Sequence, residues 1–551
     1  MSRALTVRTV LLGALGVVTL LCCFPALLPS LLPQLLRGFI PPLVCLICLT
    51  VGCAVSWPTV RHGLKGLWER PAADSFVVLN CGGALLQNLA LLGRSGAAEA
   101  TAPFFSAAAL LALLANAMGK RLLSGYIRDD FEQMTDDARS WQLAELAEDM
   151  SFVRRMTHGL EEKEPCLLLN RPSESWQNFM DQCFVPHAAD RTAQRPCQLL
   201  VGAALLGGIL GALLGSGFVL PFAAILCGGC PLAMILCSAV PYGRMHAAAK
   251  QMGAVMPGAN TLEQLEQTNT LTVDVAELFP RGSVILKGLK TFGEPRIDLA
   301  ILYAASLLVP GCATLRGIFL EILQNRTELL PEVEQFSREP GCGLEGFADG
   351  KHLLVGNRGM MVSHGVEVPP PEYEEKHTRA GRYCPVYLAV NGRLTALFVV
   401  GYHADENVLQ QMREAYVSGL SLLVCGEDFN LSGDRIDRIY GLPSGCIKVL
   451  GAAESAELAK AVAPCRTGRG VLAHGGLDLH GMMACIRLAA AAYGAEKLSA
   501  LLCSISALFT ALLLLVLTCT GGLGVLTLPA VLLYQLFWLA LTLVIPLLHR
   551  T

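Results

Sequence analysis

Asp274 closes an apolar run at 271–273 and is followed by Val275-Ala276-Glu277-Leu278. A carboxylate at a strand end is suited to accept a phosphoryl group. That reaction also needs a nearby lysine, hydroxyl and backbone donors for the phosphoryl oxygens, and further carboxylates to hold Mg²⁺. Val275, Ala276 and Leu278 bring no side-chain donor, and Glu277 adds negative charge beside any incoming phosphate. Further along, Cys425-Gly426-Glu427-Asp428 ends a second apolar run at 420–424 and supplies two more carboxylates, Glu427 and Asp428.

Two other stretches suggest ligand binding. Cys227-Gly228-Gly229-Cys230 places thiols at i and i+3, on one side of a helix. Pro231 beside them frees a backbone carbonyl. Such a group is a candidate site for a soft ion, Cu(I) or Zn²⁺, although the same small residues also suit close helix packing. Cys45-Leu46-Ile47-Cys48 has the same spacing with less context. Gly341-Cys342-Gly343-Leu344-Glu345-Gly346, with Gly356 further on, is a candidate nucleotide contact. It reads equally well as turn geometry that needs positive φ.

The elements that must position these residues are set by an apolar composition. The chain has 551 residues, 53% hydrophobic and 16% charged, with a mean hydropathy of +0.50, which places it in a lipid bilayer. Lys+Arg 42 against Asp+Glu 45 leaves a net charge of -3 and no basic footprint for nucleic acid. Many of the 21 cysteines lie in apolar runs, as reduced thiols acting as small hydrophobes would.

A hydrocarbon core about 30 Å thick needs roughly 20 apolar helical residues. Eight spans are expected, at 8–28, 38–57, 76–94, 103–119, 198–217, 219–242, 497–519 and 524–548. Residues 1–8 carry no small-residue cleavage site, so a cleaved signal peptide is not expected. Arg61, Lys65, Arg70, Lys120 and Arg121 lie in loops on one side, and only Arg37 and Arg94 on the other. The positive-inside bias therefore puts both termini and the soluble segments in the cytoplasm. The segment 243–496 reads as α/β. Runs at 271–273, 394–400 and 420–424, with a helix-like stretch at 406–418, favour a parallel sheet whose functional groups project from strand ends.

In this order, the pieces resemble the heavy-metal-transporting P-type ATPases over most of the chain. Cys230-Pro231-Leu232 looks like that family's Cys-Pro-Cys ion motif with its second cysteine replaced. Asn269 to Asp274 is similar to the approach to its D-K-T-G-T-L-T loop. Leu330-Pro331-Glu332-Val333, the glycines Gly341, Gly343 and Gly346, Gly350-Lys351 and Val355-Gly356-Asn357-Arg358 look like its nucleotide-binding domain.

The resemblance implies an α-helical membrane protein of about eight spans. It would carry an α/β, haloacid-dehalogenase-like, Rossmann-type phosphorylation domain with an inserted α+β nucleotide-binding domain. The implied division is spans 1–4 in 1–122, a short segment in the actuator position at 123–197, and spans 5–6 with the Cys-Pro motif in 198–243. The stalk and first part of the phosphorylation domain follow at 244–300, the nucleotide-binding-like domain at 301–390, the second part of the phosphorylation domain at 391–496, and spans 7–8 in 497–551.

The departures bear on function. Asp274 keeps the acceptor position, Val275 stands where the lysine belongs, and Ala276 and Leu278 replace two threonines. Each lost donor removes on the order of 3–4 kcal/mol of transition-state stabilisation, by analogy with oxyanion-hole variants. Cys425-Gly426-Glu427-Asp428 replaces Thr-Gly-Asp, and Ala313-Thr314 replaces a His-Pro pair. No T-G-E stands in 123–197, where Pro172-Ser173-Glu174-Ser175 is a weak echo. Gly475-Gly476-Leu477-Asp478 is the nearest candidate for the G-D-G-x-N-D stretch but lies close to the next membrane-entry run.

Three readings stay open at this point. One is a catalytically degenerate pseudo-ATPase with a regulatory or binding role. The second is an atypical active exporter using ATP, Mg²⁺ and Cu(I) or Zn²⁺. The third is a passive soft-metal sensor holding its ion at Cys227 and Cys230. The expected setting is the plasma membrane, with the bilayer, a soft metal ion and another membrane protein as candidate partners.

Overall fold

Helices take the apolar parts of the chain and two sheets take the mixed parts. The structure is a computed structural model and describes residues 2–23, 40–93, 105–135, 141–160, 164–293, 296–426 and 428–548. Arg37, Arg94 and Glu427 lie outside the described residues. Among those described, five helices are long and apolar enough to cross a membrane: Ala4–Cys22, Ala73–Gly93, Ser106–Met134, Gln194–Leu213 and Leu479–Cys519. A sixth results if Ile40–Val55 and Trp57–Trp68, bent by 85°, count as one span. Eight spans were expected.

Part of the difference is the expected span 219–242, which is divided. Val219–Gly228 ends before Cys230-Pro231, and a new helix runs from Leu236 to Gln251. Glycines at 228 and 229 weaken the helix, and Pro231 cannot donate to the carbonyl four residues back. The last apolar helix is Leu528–Leu548.

The strands, in chain order, are β1 (Gln142–Leu146), β2 (Leu167–Trp176), β3 (Ala254–Val255), β4 (Thr270–Asp274), β5 (Val284–Thr291), β6 (Val333–Glu339), β7 (Gly343–Ala348), β8 (Lys351–Gly356), β9 (Cys384–Val390), β10 (Arg393–Tyr402), β11 (Ser421–Cys425), β12 (Ile447–Val449), β13 (Cys465–Gly468) and β14 (Leu472–His474). One sheet has the order β12-β11-β4-β2-β1-β14-β3, with β13 pairing β2. β11 runs parallel to both β4 and β12, so the Asp274 and Cys425 ends lie side by side. Ser421 to Val424 is buried throughout, as expected of a parallel strand covered on both faces.

The second sheet, β5-β10-β9-β8-β7-β6, is antiparallel. Here one sequence expectation is corrected. The run at 394–400 was expected in the parallel sheet, but it forms β10 of the antiparallel one. The reason is the turn before it. Asn391 and Gly392 both have positive φ, and Val390 pairs with Arg393 across a two-residue connection. Asn-Gly is a strong hairpin signal, because both central residues of a type I′ turn need positive φ. Asp349-Gly350 does the same between β7 and β8.

The segment 123–197 supplies β1 and β2 to the first sheet. β2 pairs parallel with β4 through Leu167↔Thr270 and Leu168↔Leu271. A single hydrophobic core continues from Leu271, Val273 and Leu422 in this sheet to Leu344, Val355 and Phe398 in the other. The membrane helices pack around a separate core that includes Phe76, Phe105, Leu110, Cys197, Cys227, Cys230 and Cys503.

Candidate functional site

Asp274 sits at the end of β4 and caps the short helix Val275–Leu278. Its Oδ1 accepts the Ala276 N–H at 2.8 Å. This is the ordinary work of an N-cap aspartate, which satisfies an amide that has no partner inside the helix. Val275 and Leu278 are 1% and 0% exposed and belong to the core. The Tyr440 hydroxyl donates to the Leu278 carbonyl and holds the far end of the helix. Gly426 has a φ of +114°, and a Cβ there would fall 2.6 Å from Val275 Cγ1. The Val275 side chain therefore fills the space between the two strand ends.

The electrostatics around Asp274 are acidic. Glu277 Oε2 accepts the Leu479 N–H at 3.1 Å. Burial of that carboxylate, then the charges of Asp274 and Asp478, raise its pKa above the ordinary value. The loop Gly475-Gly476-Leu477-Asp478 therefore does reach Asp274's neighbourhood, although its closeness to the membrane-entry run had argued against that. Two ties allow it. Asp478 starts the long helix by accepting the Gly481 N–H at 2.8 Å. His474 Nδ1 accepts the N–H groups of Gly476 at 3.2 Å and Leu477 at 3.0 Å, while its Nε2 faces Asn170 Oδ1 at 3.3 Å. Burial lowers the His474 pKa to about 4, so the ring is neutral.

Cys425 lies opposite Asp274 in the strand pairing. Its thiol is pushed up to about 12, first by burial and then by Asp274. It is not an activated nucleophile.

These residues do not fit a phosphoryl group. The charged neighbours acting on Glu277 are both carboxylates, which suit a hard cation but repel a phosphate, and Val275 rather than a lysine follows Asp274. Among the described residues, the group of three ligand-type side chains with converging atoms lies elsewhere, at Glu339, Glu345 and His364.

Asp428 is buried. It accepts hydrogen bonds from the Tyr402 hydroxyl at 2.6 Å, the Asn430 N–H at 2.8 Å and the Thr314 hydroxyl. Burial raises its pKa despite these donors. Thr314, in the helix Ala313–Ile322, stands where the resemblance implies a His-Pro pair; the Asp428–Tyr402 bond joins the end of β11 to the end of β10. Glu427 is not described.

The candidate nucleotide glycines are explained by close packing. Gly343 and Gly356 are opposite one another in the β7–β8 pair. A Cβ on Gly343 would fall 2.3 Å from the Val355 carbonyl oxygen, and one on Gly356 2.3 Å from the Cys342 carbonyl oxygen. Gly346 faces Val333 and Leu307, and Gly341 has positive φ in the β6–β7 turn.

In the membrane core, the expectation that Cys227 and Cys230 share a helix face is corrected. The helix ends at Gly228, between them. Both still approach Asn80 of the helix Ala73–Gly93. Cys227 Sγ donates to the Asn80 carbonyl at 3.3 Å, and the Cys230 thiol lies beside the Asn80 amide, which has no partner at normal hydrogen-bonding geometry. The carbonyl deprived of a donor by Pro231 is that of Cys227, four residues earlier. Gln535 Nε2 of the last helix supplies the missing bond at 2.8 Å. In sequence, Tyr534-Gln535 is only a polar exception in an apolar run. The spacing from Pro231 back to Cys227 was the signal that a donor was required.

No family model matches the chain. It is similar to a copper-exporting P-type ATPase of Legionella pneumophila, 28% identical over 194 residues covering 35% of this chain and 26% of that protein. It is also similar to a silver exporting P-type ATPase of Salmonella typhimurium, 22% identical over 193 residues, 35% of this chain and 23% of that protein. The chain thus spans about a quarter of the length of the curated relatives it matches. In fold it is similar to a zinc-transporting PIB-type ATPase in the E2·Pi state, with 14% identity, 98% of this chain and 99% of that chain covered, and a TM-score of 0.54. The fold is that of a helical membrane protein carrying an α/β sheet domain and an antiparallel sheet domain. The chain is thus similar in sequence, over about a third of its length, to heavy-metal P-type ATPases, and similar in fold to one of them.

Proposed function

We propose that this protein has left the phosphorylation cycle of its relatives and acts as a membrane-embedded regulatory or binding protein. The observation that carries this reading is the state of the Asp274 loop. Its carboxylate caps a helix, Val275 and Leu278 are core residues, and the nearby charges are acidic.

Two further observations support it. A segment that delivers a dephosphorylating group must move relative to the acceptor, yet β2 is hydrogen-bonded to β4 itself. Domain closure over a nucleotide needs a hinge, yet Asp428, Thr314 and Tyr402 join the two sheets across a continuous core. Nucleotide binding without turnover is compatible with this arrangement. The protein would lie in the plasma membrane with its termini and soluble domains in the cytoplasm, acting on another membrane protein.

One observation favours a second reading, an active or passive soft-metal protein. Cys227 and Cys230 converge on Asn80 inside the bundle, and thiols suit Cu(I) or Zn²⁺. The deciding experiment is acid-stable labelling of the purified protein by γ-labelled ATP with Mg²⁺, with and without Cu(I) or Zn²⁺. No label in a folded sample is expected. Label that disappears in Asp274→Asn would overturn the proposal and restore a pump.

A further inference from the structure

The geometry points to a divalent-metal site on the antiparallel sheet, formed by Glu339, Glu345 and His364 and completed by His352. It is independent of the cysteines in the membrane and of the Asp274 loop, so it stands whichever reading of those is correct. Strand register brings the residues together. Ser337 pairs with Glu345 and Glu339 with Gly343 across β6–β7, and Phe347 pairs with His352 across β7–β8. Because alternate residues share a face, Glu339, Glu345 and His352 lie on one side of the sheet. His364 arrives from the end of the helix Arg358–Ser363, which Asn357 starts by accepting the Met360 N–H at 3.2 Å.

One ligand atom each from Glu339, Glu345 and His364 lie within 4.8 Å of one another. His364 Nε2 is 2.5 Å from Glu339 Oε1, and His352 Nε2 is 2.6 Å from Glu345 Oε1. The Ser337 hydroxyl donates to Glu345 Oε2 at 3.2 Å, and Phe347 stacks on the His352 ring with centroids 4.8 Å apart. The side chains are 24–36% exposed, open enough for an ion and a water to enter.

Without a metal, these contacts are two His–Glu pairs. With one, the same atoms supply an imidazole nitrogen and two carboxylate oxygens, leaving a position for water, as in open zinc sites. His352 would then orient Glu345, the usual outer partner of a ligating carboxylate. Imidazole and carboxylate without thiolate select Zn²⁺ or Co²⁺ over Cu(I).

The test uses the full chain, stripped of metal and titrated with Zn²⁺ against a chromophoric chelator, then with Co²⁺. The Cys227→Ser/Cys230→Ser variant serves as the background. The expected result is binding of one Zn²⁺ that survives in this background and is lost in His364→Gln and in Glu345→Gln. His352→Gln should weaken it by about tenfold or more. Co²⁺ should give visible d–d bands without a near-ultraviolet sulfur charge-transfer band. Zn²⁺ binding unchanged by both His364→Gln and Glu345→Gln, or absent from the full chain, would overturn the site. Should either variant misfold, Glu339→Gln takes its place, with unchanged melting of the metal-free protein as the check on folding.

Discussion

The Asp274 loop and the break at Cys227 to Pro231 are both points where a regular element ends beside polar groups, but the two are completed differently. At Asp274 the surroundings are apolar and acidic, the carboxylate caps a helix, and Val275 fills the space beside it. At the membrane break, the polar needs of the interrupted helix are still met one by one. Gln535 answers the Cys227 carbonyl, and Asn80 stands beside the two thiols. A polar group in a loop outside the bilayer can go without a protein partner because water can replace it. A carbonyl in a bilayer core has no such replacement, so its partner persists whether or not an ion passes.

That contrast can be tested, beginning with pH. His474 holds the loop 475–478 near Glu277 as a neutral ring, with its pKa lowered from 6.5 to about 4 by burial. The unfolded state therefore binds the extra proton first. Stability from this group is complete above about pH 6.5 and is lost as pH falls toward 4, by up to about 3 kcal/mol. His474→Gln should flatten that slope in denaturation curves measured between pH 7 and 4. An unchanged slope would mean that the loop is not held through this ring.

A smaller effect is expected in the membrane. Gln535→Leu removes the donor to the Cys227 carbonyl and should lower stability by about 1–3 kcal/mol, the usual cost of an unsatisfied buried acceptor. Thermal melting in detergent would detect it, and a wild-type melting point would show that water or another group reaches the carbonyl.

The smallest effect separates cap from catalyst. Asp274→Ala should cost about 1 kcal/mol as a lost N-cap, whereas Asp274→Asn should be nearly neutral, since asparagine caps equally well. Comparing the two melting curves isolates the capping role, and a large loss in Asp274→Asn would show that the negative charge has another partner.

Much of the fold was legible in the sequence where local rules act alone. The apolar stretches became helices at Ala73–Gly93, Gln194–Leu213 and Leu479–Cys519, because length and hydropathy suffice. The strand ending at Asp274 and the parallel run at 421–425 were also readable. The placement of 394–400 was not, although Asn391-Gly392 carried a hairpin signal that the strand–helix–strand pattern obscured. The insertion of β2 beside β4 had no local signal, since pairing between residues 167 and 270 is decided by which sheet edge is free.

The site residues divide in the same way. The sequence by itself determined that Val275, Ala276 and Leu278 bring no side-chain donor after Asp274, because side-chain chemistry is written in residue type. It also determined that Pro231 would orphan a carbonyl. Only the tertiary structure decided that Asp428 is met by Thr314 and Tyr402, that Gln535 meets Cys227 across 308 positions, and that His364 from a helix end meets Glu339 and Glu345 on the sheet face that also carries His352. Those outcomes depend on register and packing between distant segments, which set where side chains end up once chain entropy has been overcome.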